Sequence, residues 1–476
     1  MKRPTLALCA TALSGTLVGC VTLPKDAGLH DVQDDVRQRS GFTIDRIPTD
    51  AEEQVVERVR DLLREELSDS RAVEVALLGN RRLQATLQEL GIARAELWQA
   101  GLPRNPILGG EIRFPGRSSA PFEISLVQEV LDLIWLPQRR KLASAVFEQT
   151  KLRVAAEVFD LVTEVRGAYF TAQAASQMAT MRRAVADAAR IAADLAIRQH
   201  KAGNISDLEL ENEQALFEQA KLDLVLGEEE ELLSRERLNS LLGLWGDLTQ
   251  WRMAPRLPDP PAEEPDLAGL ESLAASQRLD LAVARREIEV ATRALPLARS
   301  SAFELEAGVH REKEPEGTTT TGPALEVSLP VFDRGGAGRS RARAVLAQAE
   351  QRYAALAVEV RSEVRAARHR MLSARARSAY HRDVVLPRRS RIVNFSQQEY
   401  NFMLIGVFQL LQAKRDEITA QGESIEALRD YWIARSELER AVGGRLTPAA
   451  QGSTANQPAV EPQKPNEDHD HGGRKR

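Results

Sequence analysis

Beyond its first twenty residues, this chain of 476 residues contains no run approaching the ~18 apolar residues that a membrane-spanning helix needs. If it crosses a bilayer it must use strands, whose backbone groups pair with one another across segments. Aromatics are scarce, at 5%, so the chain is short of the bulky residues that fill a compact core. The two cysteines, Cys9 and Cys20, both lie near the N-terminus, which leaves no disulfide framework for the rest. A net charge of −5 gives no electrostatic reason to expect nucleic acid. Catalytic constellations are missing too. The seven histidines are scattered, and Gly335-Gly336-Ala337-Gly338 lacks the lysine and hydroxyl residue of a phosphate loop. The expectation is a protein without enzymatic activity or cofactor.

What is present is a long object that occurs twice, about 200 residues apart. A helical run over 138–200 is broken at Lys201-Ala202-Gly203-Asn204 and followed by a return helix over 205–243. A second run over 338–400 breaks near Leu404-Ile405-Gly406 and returns over 406–443. Such self-similarity at a fixed offset marks duplication of one supersecondary unit. A run of ~63 residues would reach roughly 95 Å at 1.5 Å per residue. Val158, Val162, Val165, Tyr169, Ala172, Ser176 and Ala179 recur at steps of four and three, the spacing of a coiled-coil stripe. Met181, Val185, Ala188, Ala192 and Leu195 continue it on a shifted frame.

Ahead of each long run the period changes from 3.6 to 2. Ile112, Phe122, Ile124 and Leu126 alternate with Glu111, Glu123 and Ser125, which predicts a hairpin over 107–131. Leu305, Ala307, Val309, Leu325 and Val327 alternate with Glu306, Gly308, Glu326 and Ser328, a second hairpin over 302–331 whose loop is read as His310 to Pro323. One apolar and one polar face suits a water-filled membrane barrel, or a small soluble sheet capping a helical bundle. The remaining divisions are an N-terminal segment over 20–68, irregular to about Thr49, a first repeat over 69–250, a proline-rich linker over 251–266, a second repeat over 267–443 and a disordered tail over 444–476. Ala51 to Ala100 reads as helix in two pieces divided near Ser68.

The first 19 residues read as a targeting segment, with Lys2 and Arg3 ahead of the apolar Leu6 to Leu13. Leu17-Val18-Gly19-Cys20 resembles a bacterial lipoprotein signal, which implies cleavage before Cys20 and a lipid on its thiol. The lipid-type cysteine, paired hairpins, long helices and linker together resemble the TolC-type outer-membrane efflux channel family. Leu102-Pro103-Arg104-Asn105-Pro106 is similar to that family's entry into its first strand. Ser328-Leu329-Pro330-Val331-Phe332-Asp333-Arg334-Gly335-Gly336 is similar to the exit from its last strand. The resemblance implies a homotrimer with a twelve-stranded β-barrel in the outer membrane on a periplasmic α-helical barrel. It further implies a passive duct served by an inner-membrane pump and a periplasmic adaptor. A heavy-metal cargo, a drug or protein cargo, and a periplasmic coiled-coil tether without a pore all remain open.

Candidate site residues cluster at the two helix tips. Gly203, Asn204, Ile205, Ser206 and Asp207 form a polar tip, in which Ser206 and Glu209 have capping-box spacing. Met403, Leu404, Ile405 and Gly406 form an apolar one. Both are candidate adaptor contacts, since exposed apolar clusters mark contact sites. Asp207, repeated around a trimer axis, is the candidate acidic pore ring. His469 and His471 in the tail are the nearest thing to metal ligands, and a harmless polar tail is the plainer reading.

Overall fold

The computed structural model describes residues 27–47, 52–112, 122–264, 267–300, 304–313 and 317–446, except the side chains of 299, 300 and 408. Cys20, His469 and His471 lie outside the described residues. Among the described residues, no helix is long and apolar enough to cross a membrane.

The irregular reading of the segment after Cys20 is corrected by helix α1, Leu29–Ser40, whose flanking Gly28 and Gly41 both have φ 76°. Val32 and Val36, one turn apart, are buried, and Lys151 Nζ meets Asp31 at 2.6 Å, so α1 lies along the first long helix. The helix expected over Ala51 to Ala100 does divide near Ser68, and a further break at Asn80 makes it three helices: α2 over Glu52–Leu63, α3 over Asp69–Gly79 and α4 over Arg81–Ala100. Ser68 and Asn80 each cap the next helix through a side-chain oxygen.

Strands β1, Ile107–Ile112, and β2, Phe122–Glu129, lead directly into α5, Val130–Lys201. Thus α5 starts eight residues before the expected Gln138 and runs through Pro137. The Leu102–Pro106 crossover bolts this start in place. Asp132, buried, accepts from the Arg104 amide at 3.1 Å and pairs with Arg139 at 2.7 Å. Gln128 Nε2 donates to the Arg104 carbonyl at 3.0 Å. A short return helix, α6, covers Asp207–Leu242.

The second repeat retraces the first. Helices α7, Leu270–Gln277, and α8, Leu279–Ser300, precede β3, Leu305–Lys313, and β4, Thr319–Val327. Strand therefore occupies most of the segment expected as a loop from His310 to Pro323. The second long run is α9, Gly336–Tyr380, a π turn over His381–Val385, and α10, Leu386–Asn401. Pro387 has no N–H to donate and its ring crowds the preceding turn, and the wider π turn sits just ahead of it. Helix α11, Val407–Val442, has 36 residues, as has α6, at an offset of 200.

Both repeats close at the same joint. Gly243 (φ 71°) ends α6 and Gly443 (φ 83°) ends α11. A Cβ on Gly243 would lie 2.2 Å from the Gly79 carbonyl oxygen, and one on Gly443 would lie 3.0 Å from the Arg278 backbone. Asn80 Nδ2 donates to the Leu241 carbonyl at 2.8 Å, and Arg278 Nη1 to that of Ala441 at 3.2 Å. Each return helix is thereby hooked onto the break between the two helices that open its repeat.

The long helices form a wall in the order α6, α5, α11, α9. Val158, Val162, Val165, Tyr169, Ala172 and Ala179 are buried as expected. The expected frame shift does not occur: Ala186, Ala193 and Ala196 are buried while Leu195 is 53% exposed. Steps of seven from Ala179 reach Ala186 and Ala193, so the original stripe continues unbroken. The linker straps this wall. Gln173 Nε2 donates to the Ala254 and Arg256 carbonyls at 3.0 and 2.9 Å, and Trp432 Nε1 to that of Pro258 at 2.8 Å. Tyr431 donates to Glu264, and burial followed by that carboxylate pushes its phenol up to about 12. Leu446 is buried and the Arg445 amide donates to Arg39 at 3.0 Å, so the predicted tail begins beyond these residues. Residues 447–476 lie outside the described ones.

Candidate functional site: the strand wall and the helix tips

The four strands form one antiparallel sheet in the order β1-β2-β3-β4. Directly paired residues point to the same side, so the register sorts every side chain. One face carries Leu108, Leu126 and Val309 in one row, Ala307 with Leu325 in another, and Leu305 with Val327 in a third. These apolar groups are open: Leu108 is 72% and Leu325 70% exposed.

The opposite face is acidic. Glu111, Glu123 and Glu312 form one row across β1, β2 and β3. Glu129, Glu306 and Glu326 form a second across β2, β3 and β4. Between the rows His310 pairs with Ser125, and its ring lies 3.3 Å from Glu123 and 3.8 Å from Glu312. Like charges directly opposite one another destabilise a sheet. Two such rows on one face are understandable where that face meets water and mobile cations. Their polar alternation was visible in the sequence, but their alignment into rows was not.

At the first tip, Gly203 takes φ 74° and the Asn204 amide donates to the Gln199 carbonyl at 2.9 Å. Ser206 and Glu209 form the predicted capping box, with the Ser206 amide donating to Glu209 at 2.9 Å. That bond holds the Glu209 carboxyl below its usual range. Asp207, with a side chain 93% exposed, meets His200 Nε2 at 2.6 Å, a link across the tip that sequence reading missed.

The second tip repeats the backbone. Met403 takes φ 58° and the Leu404 amide donates to the Glu399 carbonyl at 2.9 Å. Its N-cap is Gly406, without a side-chain bond. Phe402, Met403 and Leu404 are 76%, 92% and 72% exposed. The structure thus brings Gly203 to Asp207 into one hydrogen-bonded turn and leaves the Met403–Leu404 patch bare. Ile205 and Ile405 are half-buried at equivalent places.

Residues 72–244 match the family model described as outer membrane efflux protein. The first repeat is thus similar to the outer membrane efflux protein family. Solved structures extend the likeness to both repeats. It is similar to a membrane protein from Pseudomonas aeruginosa, with TM-score 0.67 and 21% identity over 79% of this chain and 93% of that one. It is similar to CusC, described with transmembrane channel formation, with TM-score 0.65 and 18% identity over 80% and 92%. The Campylobacter jejuni CmeC outer membrane channel gives 0.66 and 15% over 80% and 86%. A search of curated proteins finds no match. The fold is that of TolC-type outer-membrane channels. Among the described residues, no cluster suited to a metal ion occurs.

Proposed function

We propose that three copies of this chain join their sheets into one twelve-stranded barrel in the outer membrane, with the helical wall continuing it into the periplasm as a passive efflux duct. The sheet carries this reading. One face carries the exposed Leu108, Leu126, Val309, Leu325 and Val327, the other the two rows of glutamates, and among the described residues β1 and β4 each lack a neighbour on one side. Unpaired strand edges are costly in lipid, and closure with further copies removes them. Leu329, Val331 and the fully exposed Phe332, just past β4, add apolar surface at that edge.

In this assembly the duct receives cargo from an inner-membrane pump through an adaptor that docks on the tips, and it needs no catalytic groups. Cys20 carries a lipid that anchors the segment ahead of α1. The acidic rows favour cations in the lumen, which suits divalent metal cargo better than anionic solutes.

Purified protein should be trimeric and give discrete conductance steps in planar bilayers, with cations carrying most of the current. A monomer without conductance defeats the duct. Cysteines placed at Gly317 should be labelled from outside intact cells, whereas labelling only after outer-membrane rupture favours a periplasmic tether.

A further inference from the structure

The two lateral edges of the helical wall carry opposite charge. Helix α6 holds eleven acidic against three basic residues, and α9 holds ten arginines against three glutamates. These helices end the order α6, α5, α11, α9, and do not pack on each other within the chain. On α6, Leu208, Glu211, Ala215, Glu218, Leu222 and Val225 lie at steps of three and four, and all are exposed. That is a coiled-coil stripe, on the side turned away from the buried Ala220 and Gly227 that face α5.

The levels of the two edges can be matched. Asp416 stands nine residues into α11, as position 216 stands nine into α6, and Arg389 pairs with Asp416 at 2.8 Å. Arg388 and Arg391 of α10 are exposed, have no ion pair among the described residues, and lie level with the interval between Glu211 and Glu218. Ile392 and Phe395 beside them are 44% and 60% exposed. Higher up, Arg377 meets Asp430 at 3.4 Å, which puts it level with Glu229 and Glu230, exposed and without an ion pair among the described residues.

We infer that α6 of one copy seats on the α9–α10 edge of the next, so that the seam between subunits is a heterologous acid-to-base coiled coil. This rests on the trimer reading and adds which surfaces meet and why only head-to-tail contact closes. Edge-to-identical-edge pairing sets acid against acid or arginine against arginine, which is repulsive, whereas the heterologous contact is complementary and closes a ring. Leu208, Ala215, Leu222 and Val225 of the stripe supply adhesion, and Glu211 and Glu218 within it supply orientation. Each repeat has specialised as one half of the contact.

The test uses the full-length protein in detergent, with trimer measured by native mass spectrometry and helix content by circular dichroism. Glu211→Lys with Glu218→Lys should abolish most of the trimer at low salt without loss of helix, and so should Arg388→Glu with Arg391→Glu. The four substitutions together should restore it, because each reversed edge meets its reversed partner. The milder Glu211→Gln with Glu218→Gln keeps the test readable if reversal harms folding, and should lower the trimer fraction less. A wild type that is monomeric at every ionic strength overturns the trimer reading together with this seam. Trimer in all the variants, or no recovery in the fourfold one, overturns the seam alone.

Discussion

At the first tip a glycine occupies the left-handed position and a serine and glutamate cap the next helix. At the second a methionine holds that same position, and Gly406 offers no cap. The amide of residue 204 reaches the carbonyl of 199, and that of 404 reaches 399, both at 2.9 Å. Duplication has therefore kept the hydrogen bonds that turn the chain and let the side chains diverge. The first tip is polar and unstrained. The second is strained, and it holds three large apolar side chains in solvent. Strain and exposed apolar surface both cost stability, so their persistence at one tip points to a use in contact.

The largest expected effect concerns that use. Met403→Ser with Leu404→Asp should weaken binding of the strain's own periplasmic adaptor by about thirtyfold, the scale of a ~2 kcal/mol interface hot spot. Asn204→Asp, at the place in the first tip that Leu404 holds in the second, should matter less. Calorimetric titration of adaptor against each variant decides it, and equal losses at both tips would erase the asymmetry.

Exchanging the turn residues comes next. A side chain in the left-handed region costs roughly 1–2 kcal/mol. Gly203→Met should loosen the first tip by about that amount, and Met403→Gly should tighten the second by a similar amount. Amide hydrogen exchange at Asn204 and Leu404 reads each tip separately. A Met403→Gly variant that exchanges faster would show that Met403 packs favourably where it stands.

These tips were legible in the sequence because their signals are local. A glycine, a capping box and an apolar run each speak within a few residues. The strand faces were legible for the same reason, since alternation assigns a side without needing a partner. The glutamate rows were not, because Glu123 meets Glu312 only through the β2–β3 pairing of residues nearly 200 positions apart. A one-residue slip would send every side chain to the other face. The continuous stripe through Ala186 and Ala193 was masked by larger neighbours such as Leu195, which turn to solvent. The π turn had a local signal, Pro387, inside a run read as uninterrupted helix. Helix α1 escaped because only Val32 and Val36 mark its buried face.

Acid should sharpen the difference between the tips. The folded Glu209 carboxyl is depressed by the Ser206 amide, so its contribution is present above the ordinary glutamate range and is lost as pH falls through the depressed value. The second tip has no such cap to lose. The protection factor at the first tip, which corrects for the slower intrinsic exchange in acid, should fall on acidification below about pH 4.5, and Ser206→Ala, which removes about 1 kcal/mol of capping, should lower it at neutral pH as well. A first tip indifferent to acid would mean the box contributes nothing to holding the turn.

The smallest effect is expected at Asp207. Three copies around a narrow axis would add their potentials and draw cations to the periplasmic mouth. Yet the side chain is 93% exposed and already meets His200, and exposed charges are screened by salt within about 10 Å at 0.1 M. The acidic rows of the barrel would go on favouring cations without it. Asp207→Asn should therefore lower cation selectivity and divalent block in bilayers only slightly, more at low salt than at high, with trimer intact. Glu306→Gln, in the middle of its row, should do more. If Asp207→Asn produces the larger change, the mouth and not the barrel sets the field, and the ring governs selectivity. If it changes nothing even at low salt, Asp207 serves only the start of α6, where an acid is favourable beside free amides.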